Sequence, residues 1–219
     1  IRHRYTAKER AQKQGIGHYI YPRFTRLVDL NQSEDKNPSD YYRLIMQSEL
    51  RNMQIVSDVI DCVKRGRTPV VMTKYKEHAQ KLYDMLQGVA DHVFLLQGGK
   101  SLKERAAIRE QMAAVRADES LVLVAIGQYV GEGFNYPRLD TMLLAMPISF
   151  EGNVEQHAGR LNRDYEGKKD AIIFDYIDQH VPTLKRMYYK RLRAYKKIGY
   201  EVCSKVTDKQ EVANSIFDS

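Results

Sequence analysis

The run LVLVAI at Leu121–Ile126 is the most apolar stretch of the chain, and it decides the predicted fold. Continuous apolar residues, unlike alternating ones, are expected where a strand is covered on both faces. Similar but weaker runs flank it at residues 69–73, 92–96, 141–146 and 171–174. Helical spacing at 76–86 and 102–117 separates several of these runs. The alternation predicts an α/β fold, in which helices cover both faces of a parallel sheet.

The segments on either side of this alternation predict a division of the chain into three parts. Residues 1–20 are polar and basic, and we expect either a linker from a preceding domain or a helix that packs on another part of the polypeptide. Residues 21–28 predict a first strand, and residues 41–64 predict a helix with apolar positions three and four apart. The predicted domain therefore covers residues 21–180, and residues 181–219 form a basic helical extension.

Bulk composition limits the function classes. Lys and Arg number 35 and Asp and Glu 28 among 219 residues, which gives a formal net charge of +7. This surplus favours a polyanionic partner, because Lys and Arg neutralise phosphates. Cys62 and Cys203 form no Cys-x-x-Cys pair, which argues against a zinc site and fits a reducing cytoplasm. No stretch approaches the ~20 apolar residues that a membrane span requires.

Two arginines follow one of the apolar runs. Ligands of parallel α/β sheets gather at the carboxyl ends of strands, so the loops after these runs are the candidate site. The stretch QHAGRLNR at 156–163 places Arg160 and Arg163 three residues apart on one helical face. Their planar guanidinium groups stay charged and match phosphate oxygens. Arg-x-x-Arg alone is more often a solvated basic helix end. Whether these arginines bind phosphate therefore depends on what the other loops contain.

Glycine-rich loops follow two further runs. The stretch GQYVGEGFNYP at 127–137 has three glycines in seven residues, so its backbone can approach a ligand closely. The stretch QGGK at 97–100 precedes a predicted helix, and glycine amides at a helix N-terminus bind phosphates. The run at 69–73 ends at Thr73 and is followed by Lys74. These loops are predicted to meet at one edge of the sheet.

In order and spacing, these elements resemble the second RecA-like motor domain of superfamily-2 helicases, across about residues 21–178. Residues 156–163 resemble motif VI, residues 127–137 motif V and residues 69–82 motif IV. The resemblance is to the DEAD/DEAH-like helicases and to helicases of type III restriction and DNA repair. It implies an ATP hydrolase that acts as a helicase or translocase on DNA or RNA.

The resemblance also implies roles for individual residues. The implied catalytic residues, which reach the γ-phosphate of ATP across a domain cleft or orient the nucleotide, are Gln156, Arg160 and Arg163. The implied nucleotide contacts are Gly131, Glu132, Gly133 and Asn135. The implied nucleic-acid contacts are Thr73, Lys74, Gln97, Gly98, Gly99, Lys100 and Gly127.

The chain contains no complete phosphate-binding loop of its own. The stretch GGKS at 98–101 resembles the end of one, but Phe94 stands where its first Gly is required. We therefore expect ATP and Mg²⁺ to be held mainly by a preceding RecA-like domain of the same polypeptide. The isolated chain is expected to be inactive. No His-Glu-x-x-His motif or Cys/His cluster predicts a metal site.

Two departures from the family pattern keep a second hypothesis open. Asn135 stands where the family has Asp, and Ile126 stands where it has Thr or Ser. Asn brings no charge, and Ile cannot donate a hydrogen bond to a phosphate. The alternative function is a catalytically passive nucleic-acid-binding module derived from a helicase domain.

The predicted helix at 182–198 also allows two interpretations. It combines an apolar stripe with many basic residues and has no acidic residue. It is either a helix packed on the domain with a solvated basic face or a surface that tracks nucleic acid. Asp175 and Asp178, which precede it, are predicted to be a strand end and a helix N-cap. The segment resembles the C-terminal extension of restriction-like and phage-defence helicases, which favours DNA over RNA.

Overall fold

The structure is a computed structural model that describes residues 15–30, 36–98, 102–127, 135–147, 158–159, 161, 163 and 165–203. Its strands are β1 (Gly17–Phe24), β2 (Pro69–Thr73), β3 (His92–Leu96), β4 (Leu121–Ile126), β5 (Thr141–Leu144), β6 (Asp170–Ile177) and β7 (Glu201–Val202). Its helices are α1 (Pro38–Gln47), α2 (Glu49–Lys64), α3 (Lys76–Met85), α4 (Leu102–Ala114) and α5 (Pro182–Lys197).

All seven strands form one sheet in the order β3-β4-β2-β5-β6-β1-β7, and all paired strands are parallel. Alternate residues of the strands belong to two hydrophobic clusters, one on each face. Val59 of α2 and Leu82 of α3 pack in one cluster, and Met112 of α4 and Tyr195 of α5 pack in the other. The predicted α/β fold, a parallel sheet with helices on both faces, is therefore confirmed.

Helix α1 packs over the carboxyl ends of β1, β5 and β6. Its residues Tyr42 and Ile45 share a third hydrophobic cluster with Leu27, Met146 and Leu184, which follow those three strands. The segment 41–64, which was predicted to be one helix, is part of two helices. Ser48 lies between them with an extended backbone, so it ends α1 and caps α2. The start of α1 lies earlier than predicted because a capping box fixes it.

Strand β1 begins at Gly17, four residues before the predicted start. Parallel pairing joins it to β6 at all eight positions, from Gly17 opposite Asp170 to Phe24 opposite Ile177. Residues 17–20, which the sequence predicted as part of a linker or a separate helix, therefore lie inside the sheet. The apolar signal was weak because only His18 and Ile20 are buried in this half of the strand.

The chain after residue 180 packs on the same sheet. Helix α5 lies at the predicted position and places Tyr195 in the core. Gly199 then turns the backbone with a φ of 84°, which is a conformation that favours glycine. Strand β7 follows and pairs with β1. The predicted boundary at residue 180 thus runs through a continuous core, and residues 204–219 lie outside the described residues. In the described ranges, no helix is long and apolar enough to cross a bilayer.

Candidate functional site

The amino edge of the sheet is closed by structural contacts. Arg67, which precedes β2, donates to the Asp170 carboxylate at the start of β6 over 2.7 Å. The same guanidinium lies 3.5 Å from the carboxylate of Asp140, just before β5. Nearby, Arg138 donates to the carbonyl oxygen of Arg116 over 2.9 Å. These arginines hold the strand starts together, so a ligand site at this edge is not favoured.

The carboxyl edge brings five of the predicted nucleic-acid contacts together. Thr73 of β2 pairs with Ile126 of β4, and Leu96 of β3 pairs with Ala125. This register places the residues that follow three adjacent strands side by side. We call this set the β3-β4-β2 edge, and its described members are Thr73, Lys74, Gln97, Gly98 and Gly127. The other two predicted contacts, Gly99 and Lys100, lie outside the described residues.

The Thr73 side chain belongs to a chain of buried hydrogen bonds with His78 and Asn52. Its hydroxyl lies 2.8 Å from Nδ1 of His78, and Nε2 of His78 lies 3.0 Å from Oδ1 of Asn52. The Asn52 oxygen can only accept, so His78 donates from Nε2 and accepts the Thr73 proton at Nδ1. Burial, reinforced by Arg51 and Lys81, lowers the pKa of His78 to about 3. The imidazole is therefore neutral.

This network defines what Thr73 can contribute to the site. Its side chain is buried and its hydroxyl proton is directed toward His78. The implied contact of Thr73 with a nucleic acid stays a prediction, and its buried hydroxyl is already engaged by His78. The network also fixes the end of β2, from which Lys74 emerges. Lys74 is exposed, and its Nζ lies 4.5 Å from the centre of the Tyr42 ring in α1, a cation–π contact.

Arg163 and Asn135 are exposed. Just before Arg163, Ala158 and Leu161 are buried in the core on the α4 and α5 face. The backbone of Arg163 is tied down because Lys168 Nζ donates to its carbonyl oxygen over 3.1 Å and to the Leu139 carbonyl over 2.6 Å. Arg163 therefore combines a fixed backbone with an exposed side chain.

The remaining predicted residues of the nucleotide site lie outside the described residues: Gln156, Arg160, Gly131, Glu132 and Gly133. Ile126, which stands where the family has a polar residue, is only 5% exposed and belongs to the core. In the part of the chain that the structure describes, no three His, Cys, Asp or Glu side chains form a group that could hold a metal ion.

Arg51 was not singled out by the sequence. It is 2% exposed, and its Nε donates to Asp178 Oδ1 over 2.9 Å. Its Nη1 donates to the carbonyl oxygen of Ala145, just beyond β5, over 2.6 Å. Asp178 also accepts from the Thr25 hydroxyl over 2.6 Å, so it is not the predicted helix N-cap, a position that Val181 occupies. The helical spacing of Arg51 with the buried Ile55 was a usable signal.

Solved structures share this fold. The crystal structure of T4 UvsW is similar with a TM-score of 0.64 at 17% identity, over 87% of this chain and 41% of UvsW. The DNA-bound restriction-modification enzyme LlaBIII has a TM-score of 0.64 at 12% identity, over 98% of this chain and 17% of the enzyme. The C-terminal domain of the DEAD-box protein Dbp5 has a TM-score of 0.58 at 15% identity, over 93% of this chain and 98% of that domain. The fold is that of a superfamily-2 helicase C-terminal domain.

Relatives are also found by sequence, and one of them is named a probable helicase. Transcript termination protein A18 of Fowlpox virus is 26% identical over 140 residues, which are 63% of this chain and 29% of that protein. The probable helicase D10 of Escherichia phage T5 is 26% identical over 147 residues, 67% of this chain and 32% of that protein. The uncharacterized protein 108L of Invertebrate iridescent virus 3 is 36% identical over 87 residues, 38% of this chain and 76% of that protein.

No protein-family model matches the chain. By its fold, the chain is similar to the C-terminal RecA-like domains of superfamily-2 helicases, and its sequence relatives include the probable helicase D10 of phage T5 and the helicase UvsW of phage T4. The matched part spans about a third or less of the length of A18 and D10.

Proposed function

We propose that this chain is the second motor domain of an ATP-dependent DNA helicase or translocase. The observation that carries the proposal is the β3-β4-β2 edge, where the exposed Lys74 and the residues after β3 and β4 lie side by side. Carboxyl ends of parallel strands are where such folds bind ligands. Backbone amides and a basic side chain at this edge suit a phosphate backbone.

The nucleotide site is shared with a preceding RecA-like domain of the same polypeptide, which mainly holds ATP and Mg²⁺. Arg163 suits the role of an arginine finger because its side chain is exposed while its backbone is anchored through Lys168. Arg160 and Gln156 complete this set, and ATP supplies the phosphoryl group whose transfer drives cleft closure and opening.

DNA is the proposed substrate. UvsW of phage T4 is named an ATP-dependent DNA helicase, and LlaBIII was solved bound to DNA. Both have the present fold. The loops at Gly98 and Gly127 would hold the tracked strand, and the loop 131–135 would couple hydrolysis to its movement.

A passive nucleic-acid-binding module is the second candidate. It is favoured by Ile126, which is buried in the core where the family has a hydroxyl side chain. That position can make no contact with a phosphate. Such a module keeps the β3-β4-β2 edge but does not need the arginines.

The test is nucleic-acid-stimulated ATP hydrolysis by the intact polypeptide, with Arg163→Ala and Arg163→Lys compared with the wild type. Loss of an arginine finger lowers turnover by ~10³-fold or more in well-studied GTPases. We expect a comparable fall with ATP binding retained, and little rescue by Lys, which lacks the planar fork.

The matched control is Arg116→Ala. Arg116 is 71% exposed in its side chain and pairs with Asp118 at the closed amino edge, so turnover should not change. If Arg163→Ala and Arg116→Ala both turn over like the wild type, the arginine-finger role is wrong and the passive module is the better function. The 219-residue chain alone is expected to hydrolyse no ATP.

A further inference from the structure

The outer face of α5 is strongly basic. Its exposed positions are Lys185, Arg186, Tyr189, Lys190, Arg193, Lys196 and Lys197. We call this set the α5 basic face. Six of its members are basic and none is acidic, so a row of positive charge follows a helix that is ~24 Å long. The row also contains an exposed aromatic ring, that of Tyr189, which is 52% exposed.

The basic face is not the side of α5 that packs in the hydrophobic core. The helix is anchored by its opposite side, where Leu184, Tyr188 and Tyr195 are buried. The buried Arg191 on that side is neutralised by Asp175, with Nε–Oδ2 and Nη2–Oδ1 distances of 2.8 Å. The charge that the fold requires from this helix is therefore supplied by Arg191, and the outer residues are dispensable for it.

The charges of the basic face repel one another. Arg186 and Lys190 are four residues apart and Lys190 and Arg193 are three apart, so they are neighbours on the helix surface. Lys185 lies in the first turn, where the helix dipole disfavours a positive charge. Among the described residues, no carboxylate lies within ion-pair distance of Lys185, Lys190 or Arg193. A polyanion laid along the face would relieve this repulsion.

The position of α5 separates this face from the proposed motor site. The helix packs on β6 and β7, whereas the β3-β4-β2 edge lies beyond β5 in the same sheet. On its own side of the sheet, α5 neighbours the segment that leads to Arg163, because the Tyr200 hydroxyl donates to the Ala158 carbonyl. A ligand on the basic face therefore makes a contact additional to any at the β3-β4-β2 edge.

We propose that the α5 basic face is a second nucleic-acid-binding surface, which holds a phosphate backbone and offers Tyr189 to a base or sugar. The proposal rests on the proposed function in that the intact protein acts on nucleic acid. A protein partner is disfavoured because protein interfaces are poor in Lys and have an apolar centre. An exposed aromatic ring within a basic row is instead the arrangement of single-strand binding surfaces.

The test measures the affinity of the intact polypeptide for a fluorescein-labelled oligonucleotide, as single strand and as duplex, without ATP. The variant neutralises three positions: Lys185→Gln, Lys190→Gln and Arg193→Gln. Each phosphate contact contributes ~0.7–0.9 to the slope of log affinity against log salt. We expect that slope to fall by about 2, and the affinity at about 0.1 M salt to fall by at least ~10-fold.

The control variant removes three exposed charges at the amino edge: Lys64→Gln, Arg116→Gln and Lys169→Gln. It has the same net charge and should bind like the wild type. Tyr189→Leu should weaken binding of the single strand by a few-fold if a base stacks on the ring. Circular dichroism of each variant checks that α5 stays folded.

Selective loss in the α5 variant, with either oligonucleotide, supports the proposal and identifies the form that is bound. Equal loss in the α5 and control variants would mean that only net charge matters, which overturns it. If both variants bind the oligonucleotides as tightly as the wild type, the proposal is also overturned. This holds even if the α5 variant hydrolyses ATP more slowly. Because the measurement omits ATP, failure of the Arg163 role leaves it intact, and the two proposals fail separately.

Discussion

Replacement of Arg191 tests whether α5 and β7 are integral to the domain. Arg191 and Asp175 are 2% and 1% exposed in their side chains and form a two-bonded ion pair. In Arg191→Met, the buried carboxylate keeps only the Tyr195 hydroxyl, which donates over 2.8 Å. Breaking a buried pair by removing one partner costs about 3–5 kcal/mol, because an uncompensated charge remains. At ~2–4 °C per kcal/mol, the midpoint of thermal unfolding should fall by about 6–20 °C.

The assay is urea unfolding of the protein followed by circular dichroism, with a double variant to identify the cause. Asp175→Leu combined with Arg191→Met removes both charges and should recover to within about 2 kcal/mol of the wild type. Arg193→Met, two residues further along and exposed, is the control and should stay within about 0.5 kcal/mol. A loss below about 1 kcal/mol in Arg191→Met would refute the reasoning. So would a double variant as unstable as the sum of the two single ones.

Two further predictions follow from buried titratable groups. The unfolded chain protonates His78 below about pH 6.5, whereas the folded imidazole stays neutral down to a pKa of about 3, so stability falls as pH falls through this window. The wild type should lose about 1.4 kcal/mol more than His78→Gln between about pH 7.5 and pH 5.5, by urea unfolding, and equal losses would contradict the assignment. Burial raises the pKa of the Cys62 thiol to about 12, so it should resist iodoacetamide at about pH 8 while the half-buried Cys203 reacts. Mass spectrometry of native and denatured protein checks this, and equal labelling of both cysteines in the native protein would show that Cys62 is accessible.

The sheet was predictable where the signal is local. A strand such as β4, buried on both faces, must be apolar at every position, and the sequence shows this directly. Strand β1 was placed four residues too late because only His18 and Ile20 are buried in its first half, so the strand shows no continuous apolar run. Its place in the sheet comes from pairing with β6, which is about 150 residues away. No local pattern reports such a pairing.

The candidate site divides in the same way. Thr73, Gln97 and Gly127 could be predicted to lie together because each follows an apolar run, and strand ends share an edge in a parallel sheet. Arg51 could not be assigned a partner, since its carboxylate, Asp178, is 127 residues distant. Hydropathy alone places an arginine at the surface. The four-residue spacing from Ile55 indicates the buried face of the helix, but only the assembled fold identifies the partner. Thr73 shows a further limit, because the sequence predicts that it lies at this edge but not that its side chain is buried.

The buried polar groups of β6 explain how the site is held in place. Asp175 binds Arg191 of α5, the Tyr176 hydroxyl donates over 2.7 Å to Asp58 of α2, and Asp178 binds Arg51. Three polar side chains at and just beyond the end of β6 thus fix helices on both faces. A buried ion pair adds little net stability compared with apolar packing, but its bonds permit one geometry only. Since Arg51 also binds the Ala145 carbonyl, just beyond the end of β5, we infer that these pairs set the positions of the helices and of the chain at the end of β5 more than the stability of the domain. Under the proposed function, Arg51→Lys should then lower ATP turnover clearly while the free energy of unfolding changes little.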